Sequence, residues 1–371
     1  HTHTHTHTHT HTHTHTAQIC LDNCHSTCLV ALHISSPHQV NLLGMLMLGV
    51  IPRDAAVDIS GSSSVRVESC HVDGGREAAI AVQGESQLSV HSSIMHSSTG
   101  CGLFVAGHGS ANAHACTMSS CLHSNVQAQE GGTVELDGCE CDDSLEAGGL
   151  FAIGQGSNIT GSACGVKRNH MFNASAQRGG CVQLSSCDCS DSGGYGLSVC
   201  DTGSHATAHA CTFSNSSKCN TQVLEGGQLE MYGCKCDGSQ QEEGLIVTGR
   251  GSCATACDCS LCSNNLHNST TQEGGSTQLD SCKCDGSVND LGLCVISQGS
   301  TVSAHASSFV HNKESNVQAQ RGGVAQLREC VCDGSVQGAG LLVDGQDSTI
   351  KASACSVKAS APNVAAQESG S

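Results

Sequence analysis

The sequence predicts an all-β fold in which the chain winds into a solenoid of about 13 stacked coils, each of about 22–25 residues. Three observations lead to this prediction. The composition cannot fill a core of large side chains, pairs of glycines recur at a fixed spacing, and short apolar segments recur in phase with those glycines. Each coil of such a fold stacks only on its neighbours along the chain.

The composition is the first observation. The 371 residues include 44 Gly and 28 Cys but no Trp, only 2 Tyr and only 5 Phe. Aromatic and other bulky side chains usually supply much of the buried area of a globular core. Stability must therefore come from the regular stacking of small and medium side chains, as in a repeat protein.

The spacing of the glycine pairs sets the length of a coil. Gly-Gly pairs recur at steps of 47 or 48 residues, and Gly-Ser pairs lie between them. The Gly-Gly pairs begin at Gly131, Gly179, Gly226, Gly274 and Gly322, and the Gly-Ser pairs begin at Gly109, Gly156, Gly203, Gly251 and Gly299. One coil is thus roughly 24 residues, and the repeat extends back to Gly61 and forward to near Asp347.

Short apolar strands alternate in side-chain size from coil to coil. Leu103 and Val105 in one coil are followed by Val126 and Ala128 in the next, and this alternation recurs along the chain. A Gly or an Asn precedes the strand in alternate coils, at Gly102, Asn125, Gly149, Asn173, Gly196, Asn220, Gly244, Asn268, Gly292, Asn316, Gly340 and Asn363. Both residue types tolerate a positive φ, so we expect a tight left-handed corner at this position.

The recurring Gly-Leu-x-Val segments, the Asn residues that alternate with them and the glycine-rich corners resemble the repeat of the pectate-lyase-like superfamily. The resemblance extends from about residue 54 to the end of the chain. It implies a single-stranded right-handed parallel β-helix, and right-handed crossovers are also the general rule for parallel strands. It does not imply one activity, because that superfamily ranges from polysaccharide lyases, hydrolases and epimerases to non-catalytic modules that bind carbohydrate or protein.

The ends of the chain depart from the repeat. Residues 1–16 alternate His and Thr and are predicted to be a disordered low-complexity tail, which could bind zinc, nickel or copper only loosely. Residues 17–53 are predicted to form an N-terminal cap or an irregular first coil, with a short helix because Cys20, Cys24 and Cys28 recur every fourth residue. A metal site on these three thiols is a weaker alternative. The β-helix is predicted over residues 54–371.

The sequence ends at Ser371 in the middle of a coil and starts without Met, so we expect the solenoid to be truncated and the true start to be missing. The absence of a recognisable targeting signal then says nothing about the compartment, and the localisation is left unassigned.

Cysteines recur as Cys-x-Cys pairs: Cys139/Cys141, Cys187/Cys189, Cys234/Cys236, Cys282/Cys284 and Cys330/Cys332. In alternate coils the second position of the pair holds Met118, Val166, Phe213, Leu261, Phe309 or Val357, which are residues typical of a core. We therefore predict thiols buried in the core. Disulfides between coils are an alternative, and a zinc array is disfavoured because the Cys-x-x-Cys spacing is missing.

The charge balance excludes some partners. The formal net charge is -18, from 33 acidic and 15 basic residues, so a nucleic acid is a poor partner and polyanionic sugars are disfavoured substrates. No apolar run of about 18 residues exists, so no transmembrane helix is expected.

Three segments resemble catalytic elements. The segment Gly107-His108-Gly109 is similar to an element of polygalacturonases, but the other elements of that family are missing. The doublet Asp142-Asp143 resembles paired catalytic acids, although an acidic residue in this position is also typical of a turn. The string Asp201-Thr202-Gly203-Ser204 matches aspartic proteases, which need a second Asp. No coil is expected to bring acids together with Arg, Lys or His.

We therefore predict no catalytic, cofactor-binding or metal-binding residues. The expected function is that of a non-catalytic scaffold or binding module that presents a flat repeat surface to protein or glycan. The alternative is a carbohydrate-active enzyme of the same superfamily, and a rod that binds ice or another surface through Thr ladders is weaker, because the exterior is varied. Sequons at Asn158, Asn173, Asn215 and Asn268 would accept glycans in a secreted chain.

Overall fold

A computed structural model describes residues 19–22, 28–29, 32–35, 39–48, 54–97, 99–358 and 362–367. Over these residues the chain is an all-β parallel β-solenoid of about 13 turns without an α-helix. Two compact units, His1–His170 and Met171–Ser371, divide the chain. The predicted fold class is confirmed. The expected tail at residues 1–16 lies outside the described residues, and the domain boundaries stay predictions.

The strands of the first unit follow one another without a helix between them. They are β1 (Ile19–Asp22), β2 (Cys28–Leu29), β3 (Leu32–Ile34), β4 (Gln39–Leu43), β5 (Leu46–Leu48), β6 (Ala55–Ile59), β7 (Ser64–Glu68), β8 (His71–Asp73), β9 (Ala78–Val82), β10 (Gln87–His91), β11 (Ile94–His96), β12 (Cys101–Val105), β13 (Ser110–His114), β14 (Thr117–Met118), β15 (Val126–Gln129), β16 (Thr133–Asp137), β17 (Gly148–Ile153) and β18 (Asn158–Ser162).

The second unit continues the same alternation of short strands. Its strands are β19 (Phe172–Gln177), β20 (Cys181–Ser185), β21 (Tyr195–Cys200), β22 (His205–His209), β23 (Thr221–Leu224), β24 (Gln228–Tyr232), β25 (Leu245–Thr248), β26 (Cys253–Cys257), β27 (Ser269–Gln272), β28 (Ser276–Asp280), β29 (Leu293–Ile296), β30 (Thr301–His305), β31 (Val317–Gln320), β32 (Val324–Arg328), β33 (Val331–Asp333), β34 (Leu341–Asp344), β35 (Thr349–Ser353), β36 (Ser356–Lys358) and β37 (Val364–Gln367).

Each unit has two long parallel sheets. Sheet A of the first unit has the order β1-β4-β7-β10-β13-β16-β18, and sheet C has the order β3-β6-β9-β12-β15-β17. In the second unit, sheet A is β20-β22-β24-β26-β28-β30-β32-β35 and sheet C is β19-β21-β23-β25-β27-β29-β31-β34-β37. A short third sheet, sheet B, has the order β14-β11-β8-β5-β2 in the first unit and consists of β33-β36 in the second. Every strand pairs with the equivalent strand one coil away, which is the defining arrangement of a solenoid.

Apart from β35, the last one, the five-residue strands of sheet A bury their second and fourth residues and turn the other three outward. In β22 the buried residues are Ala206 and Ala208, and in β24 they are Leu229 and Met231. Small and large side chains therefore alternate along the core of sheet A. The alternation expected from the sequence lies in sheet C, where Leu103 and Val105 of β12 and Val126 and Ala128 of β15 are all fully buried. Such compensation keeps an interior close-packed when no large aromatic is present.

The paired cysteines lie in this core, as predicted. Cys189, Cys236 and Cys284 are fully buried, and no disulfide joins the cysteines whose side chains the structure describes. The first cysteine of a pair donates to a carbonyl of the preceding coil: Cys234 Sγ lies 3.4 Å from the Ala208 oxygen and Cys282 Sγ lies 3.2 Å from the Ala256 oxygen. The backbone thus satisfies the polar character of these thiols.

Two local expectations are wrong. Cys20 and Cys28 lie in the parallel strands β1 and β2, so the helix expected there does not form over the described residues, and Cys24 lies outside them. The Gly and Asn residues that precede the sheet C strands do not have a positive φ where the structure describes them. The reason for Gly is space. A Cβ on Gly244 would overlap the side-chain amide of Asn264 and the carbonyl oxygen of Asn268.

Candidate functional site

His108 lies at a corner of the first unit with a φ of 66°. Its imidazole packs against Gly131 of the next coil, and a Cβ added to Gly131 would lie 2.8 Å from His108 Nδ1. Gly131 itself has a φ of 82° and belongs to the repeated glycine corners. The contact accounts for His108 as a residue of the corner. The structure gives no further support for its resemblance to a catalytic histidine.

The doublet Asp142-Asp143 is bound by Arg168 of the next coil. Arg168 Nη2 lies 3.0 Å from Asp142 Oδ2, and its Nε lies 2.8 Å from Asp143 Oδ1. The expectation that no coil brings acids together with a basic residue is therefore wrong. Sequence spacing did not show this cluster because Arg168 approaches from a coil 25 residues away.

Asp142 also holds the next coil in place. Its Oδ1 accepts the backbone N–H of Lys167 at 2.6 Å, while burial raises the pKa of its carboxyl. In the second unit Asp237 accepts the backbone N–H of Cys262 at 2.7 Å and the hydroxyl of Ser260 at 2.8 Å. These carboxylates connect successive coils, which agrees with their expected role as turn residues.

Asp201 occupies another corner, with a φ of 76°. Its Oδ2 accepts the backbone N–H of Arg178 at 3.0 Å. The match to an aspartic-protease string thus falls on a residue that connects two coils.

Two of the predicted glycosylation sequons have a structural role. Asn173 Nδ2 donates to the Cys189 oxygen at 2.8 Å, and Asn268 is fully buried.

The outward side chains of sheet A form a polar surface in each unit, which we call the sheet A face. In the second unit it consists of the first, third and fifth residues of the strands from β20 to β35. His209 and Tyr232 are partners in adjacent strands, and their rings stack with centroids 4.7 Å apart and an interplanar angle of 9°. The stacked pair is the largest aromatic surface that the face of this unit presents in the described residues.

Acidic groups surround this pair. The Tyr232 hydroxyl donates to Glu230 Oε2 at 3.1 Å, and this hydrogen bond to the carboxylate raises the pKa of Tyr232. The other oxygen, Glu230 Oε1, lies 3.9 Å from His205 Nε2. One carboxylate thus stands between a phenol and an imidazole, with an aromatic surface beside it. This arrangement offers hydrogen-bond acceptors, donors and an apolar ring within one small area.

The sheet A face of the first unit has a related arrangement. His91 and His114 are neighbours with ring centroids 5.9 Å apart, and His114 Nδ1 lies 2.9 Å from Asp137 Oδ2. A shallow groove of about 410 Å³ runs along these residues and is also lined by Glu135 and Thr160. Most of the surface that lines the groove is apolar, and hydroxyl, carboxylate and imidazole side chains supply the smaller polar part.

Comparison with known proteins agrees with this architecture. Residues 101–259 match the family model described as the right-handed beta helix region. The chain has the fold of a right-handed parallel β-helix. No curated protein is significantly similar in sequence.

Solved β-helix structures show the same fold at low identity. The A-module of the mannuronan C-5 epimerase AlgE4 from Azotobacter vinelandii is 12% identical, with a TM-score of 0.53, over 83% of this chain and 90% of that chain. The A-module of AlgE6 from the same organism has 12% identity and a TM-score of 0.49, over 84% and 88% of the two chains. Tailspike protein 3 of bacteriophage CBA120 has 9% identity and a TM-score of 0.40, over 90% and 55%. The likeness to the AlgE4 module concerns the fold alone.

The sequence alone did not identify the sheet A face of this β-helix protein. Its residues differ from coil to coil, so no motif repeats, and the stacking of His209 on Tyr232 depends on the register of β22 and β24. Aligning the outward positions of the repeat would have placed the two rings together.

Among the described residues no helix has the length and apolar character needed to cross a membrane.

Proposed function

We propose that this β-helix protein is a non-catalytic binding module that holds a neutral glycan on the sheet A face of its second unit. The stacked His209 and Tyr232 rings carry the proposal, because the ring faces and edges that the stacking leaves uncovered offer apolar surface to a sugar ring beside the Glu230 carboxylate, which accepts hydrogen bonds from sugar hydroxyls. Protein is the second class of partner that such a face suits, and it is an outcome of the test below.

The charge of the face supports a neutral ligand. Glu230 stands beside the stacked rings and Asp280 is the second carboxylate of the face, while its basic residues, Arg328 and Lys351, lie on the later strands β32 and β35. His305 lies 3.1 Å from Asp280 Oδ1. Because the strands next to the rings carry no outward Arg or Lys, Glu230 repels the uronate groups of polyanionic sugars there. A glycan without charge avoids this repulsion and still satisfies the hydrogen-bonding groups of the face.

The basic residue at the Asp142-Asp143 doublet, which resembles paired catalytic acids, is engaged in joining coils. Arg168 is bound by both Asp142 and Asp143 in the first unit, and Asp142 also accepts the backbone N–H of Lys167. Their hydrogen bonds connect coils and do not converge on an open groove. The geometry therefore favours binding without turnover.

A panel of oligosaccharides tests the proposal on the full chain. Isothermal titration calorimetry with cello-, manno- and xylo-oligosaccharides, and with mannuronate oligomers for comparison, measures the affinity. Mass spectrometry and NMR of each mixture after long incubation detect cleavage or epimerisation. We expect binding of a neutral oligosaccharide and unchanged sugars. Turnover of any sugar would establish the enzyme alternative, and failure to bind any member of the panel would refute the glycan and favour a protein partner.

A further inference from the structure

A buried thiol meets two carboxylates at one corner of the second unit. Cys219 is 1% exposed and ends one coil, while Glu242 and Glu243 end the next. Cys219 Sγ lies 3.1 Å from Glu242 Oε2 and 3.4 Å from Glu243 Oε2. One ligand atom from each residue lies within 4.8 Å of the other two. We call these three residues the corner triad.

The corner triad is short of positive charge. A thiol has one proton to donate, so Cys219 cannot donate to both carboxylates at once. Within the described part of the chain, no Lys, Arg or His forms an ion pair with Glu242 or Glu243. The ammonium group of Lys218, the residue next to Cys219, lies over the Tyr195 ring at 5.2 Å from its centroid. Carboxylates drawn in towards a buried group are normally paired with a cation or bound to a metal.

The repeat does not require these residues. Backbone hydrogen bonds align Cys219 and Glu243 with His267 in the next coil and with Leu291, Ser315 and Ala339 in later coils. The last three of these residues are apolar or small, so the position does not require an ionisable side chain. The succession of Cys219, Glu243 and His267, with Glu242 beside it, departs from the pattern that packing alone predicts.

The geometry of the corner triad suits a tetrahedral ion. With a metal–sulfur bond of about 2.3 Å and a metal–oxygen bond of about 2.0 Å, the sulfur and oxygen ligands of a tetrahedral Zn²⁺ lie about 3.5 Å apart. The two sulfur–oxygen distances of 3.1 and 3.4 Å are close to this value. Ca²⁺ and Mg²⁺ take oxygen ligands only, and Cu(I) prefers all-sulfur sites, whereas Zn²⁺ accepts thiolate and carboxylate together.

We propose that Cys219, Glu242 and Glu243 form a Zn²⁺ site that joins two successive coils, with a fourth position open to water or to one external donor. Zn²⁺ binding displaces the thiol proton of Cys219, so that the thiolate and the two carboxylates share the ion. Glu242 is partly exposed, which gives the ion a path from solvent. The site is separate from the sheet A face and does not depend on the proposed glycan.

Cobalt substitution tests the site in the full chain. The protein is reduced, stripped of metal with a chelator and titrated with Co²⁺, whose thiolate complexes give a near-ultraviolet charge-transfer band. We expect about one equivalent of Co²⁺ to develop this band, and Zn²⁺ to remove it. The His-Thr tail binds Co²⁺ through imidazole and gives no thiolate band, so the readout is specific for sulfur ligands.

Variants decide which thiol binds the ion. Cys219→Ser should abolish the charge-transfer band, whereas Cys262→Ser, a partly exposed cysteine of the same unit, should leave it unchanged. Glu242→Gln alters only a partly exposed side chain and should weaken Zn²⁺ binding by at least about tenfold, even if Cys219→Ser does not fold. A band that persists in Cys219→Ser, a Zn²⁺ affinity unaffected by Glu242→Gln, or Co²⁺ binding without any thiolate band would overturn the proposal.

Discussion

The side-chain amide of Asn220 donates a hydrogen bond to Oδ1 of Asn264 at 2.9 Å, across 44 residues of sequence. The network continues from Asn264 to Asn268 at 3.1 Å, from Asn268 to Asn312 at 3.0 Å and from Asn312 to Asn316 at 3.0 Å. All five asparagines are fully buried. A chain of satisfied amides therefore runs through the corners of the second unit and connects its coils.

Removing one member of this network should destabilise the second unit. Asn264→Ala leaves the Asn220 amide and the backbone N–H of Ser239 without their acceptor, and each buried group left unpaired costs about 1–3 kcal/mol. We expect the free energy of unfolding to fall by at least about 2 kcal/mol in urea denaturation followed by circular dichroism. Asn289→Ala, which removes an exposed amide bonded to Asn265, is the control and should cost less than about 0.5 kcal/mol. Equal losses in the two variants would contradict the role of the network.

The alternating glycines make room for this network. A Cβ on Gly244 would overlap the amide of Asn264, so Gly244→Ala should displace the asparagine and cost about 1–3 kcal/mol. Gly165→Ala is the matched control, because the nearest atom to its Cβ is Asp142 Oδ1 at 4.0 Å. Urea denaturation of both variants measures the difference. If Gly244→Ala is as stable as Gly165→Ala, the steric explanation fails.

The sequence shows that Gly and Asn alternate at this corner, but the reason predicted for it, a positive φ, was wrong. Alternation is visible along the chain, and a positive φ is the usual reason for these residue types. The atom that excludes a Cβ from Gly244 belongs to Asn264, in the following coil, and no local pattern shows which side chain will fill that space. The burial of Cys236 and Cys284, by contrast, followed from their alignment with Phe213, Leu261 and Phe309, because the repeat places them in the same column.

The core thiols should tolerate polar substitution poorly. Cys284 is fully buried, and burial raises its pKa well above the ordinary value, so it remains a neutral thiol. Cys284→Ser places a hydroxyl in that apolar site and should cost about 1–3 kcal/mol of unfolding free energy. Cys262→Ser, at a partly exposed position, should cost less than about 0.5 kcal/mol. Thermal unfolding under reducing conditions compares the two, and a small cost at Cys284 would argue against a core role.

His267 should make the second unit sensitive to acid. Burial lowers its pKa below the ordinary 6.5, while Asp290, with Oδ1 3.5 Å from Nδ1, acts in the opposite direction. The unfolded chain therefore binds this proton more tightly, so the contribution to stability is complete above about pH 6.5 and is lost as the pH falls through the lowered pKa.

His267→Leu should remove this loss, since Leu291 occupies the same position one coil later. Relative to the wild type, the variant should gain stability as the pH falls from about 7.5 to about 5, measured by urea denaturation at each pH. His170→Leu, at an exposed histidine of the first unit, is the control. Parallel pH profiles for His267→Leu and the wild type would show that His267 does not contribute.

The sheet A face shows the limit of sequence reasoning for function. The period of the repeat predicts which residues of β22 and β24 point outward, and this part follows from the alternation of buried and exposed positions. The corner triad was missed because Cys219 and Glu243 are 24 residues apart and share no motif. Their meeting depends on the stacking of coils, which the sequence specifies only after the register is known.

The central claim is tested most directly by measuring how tightly Tyr232→Ala binds one neutral oligosaccharide. This oligosaccharide is the one to which the wild type binds most tightly. Tyr195→Ala is the matched control, because it removes the same side chain in the same unit from sheet C, where Lys218 lies over the ring. We predict that Tyr232→Ala weakens binding by about tenfold, the value of one aromatic contact, while Tyr195→Ala leaves the affinity unchanged and both variants stay folded. Equal affinities for Tyr232→Ala and the wild type would contradict a glycan-binding role for the sheet A face.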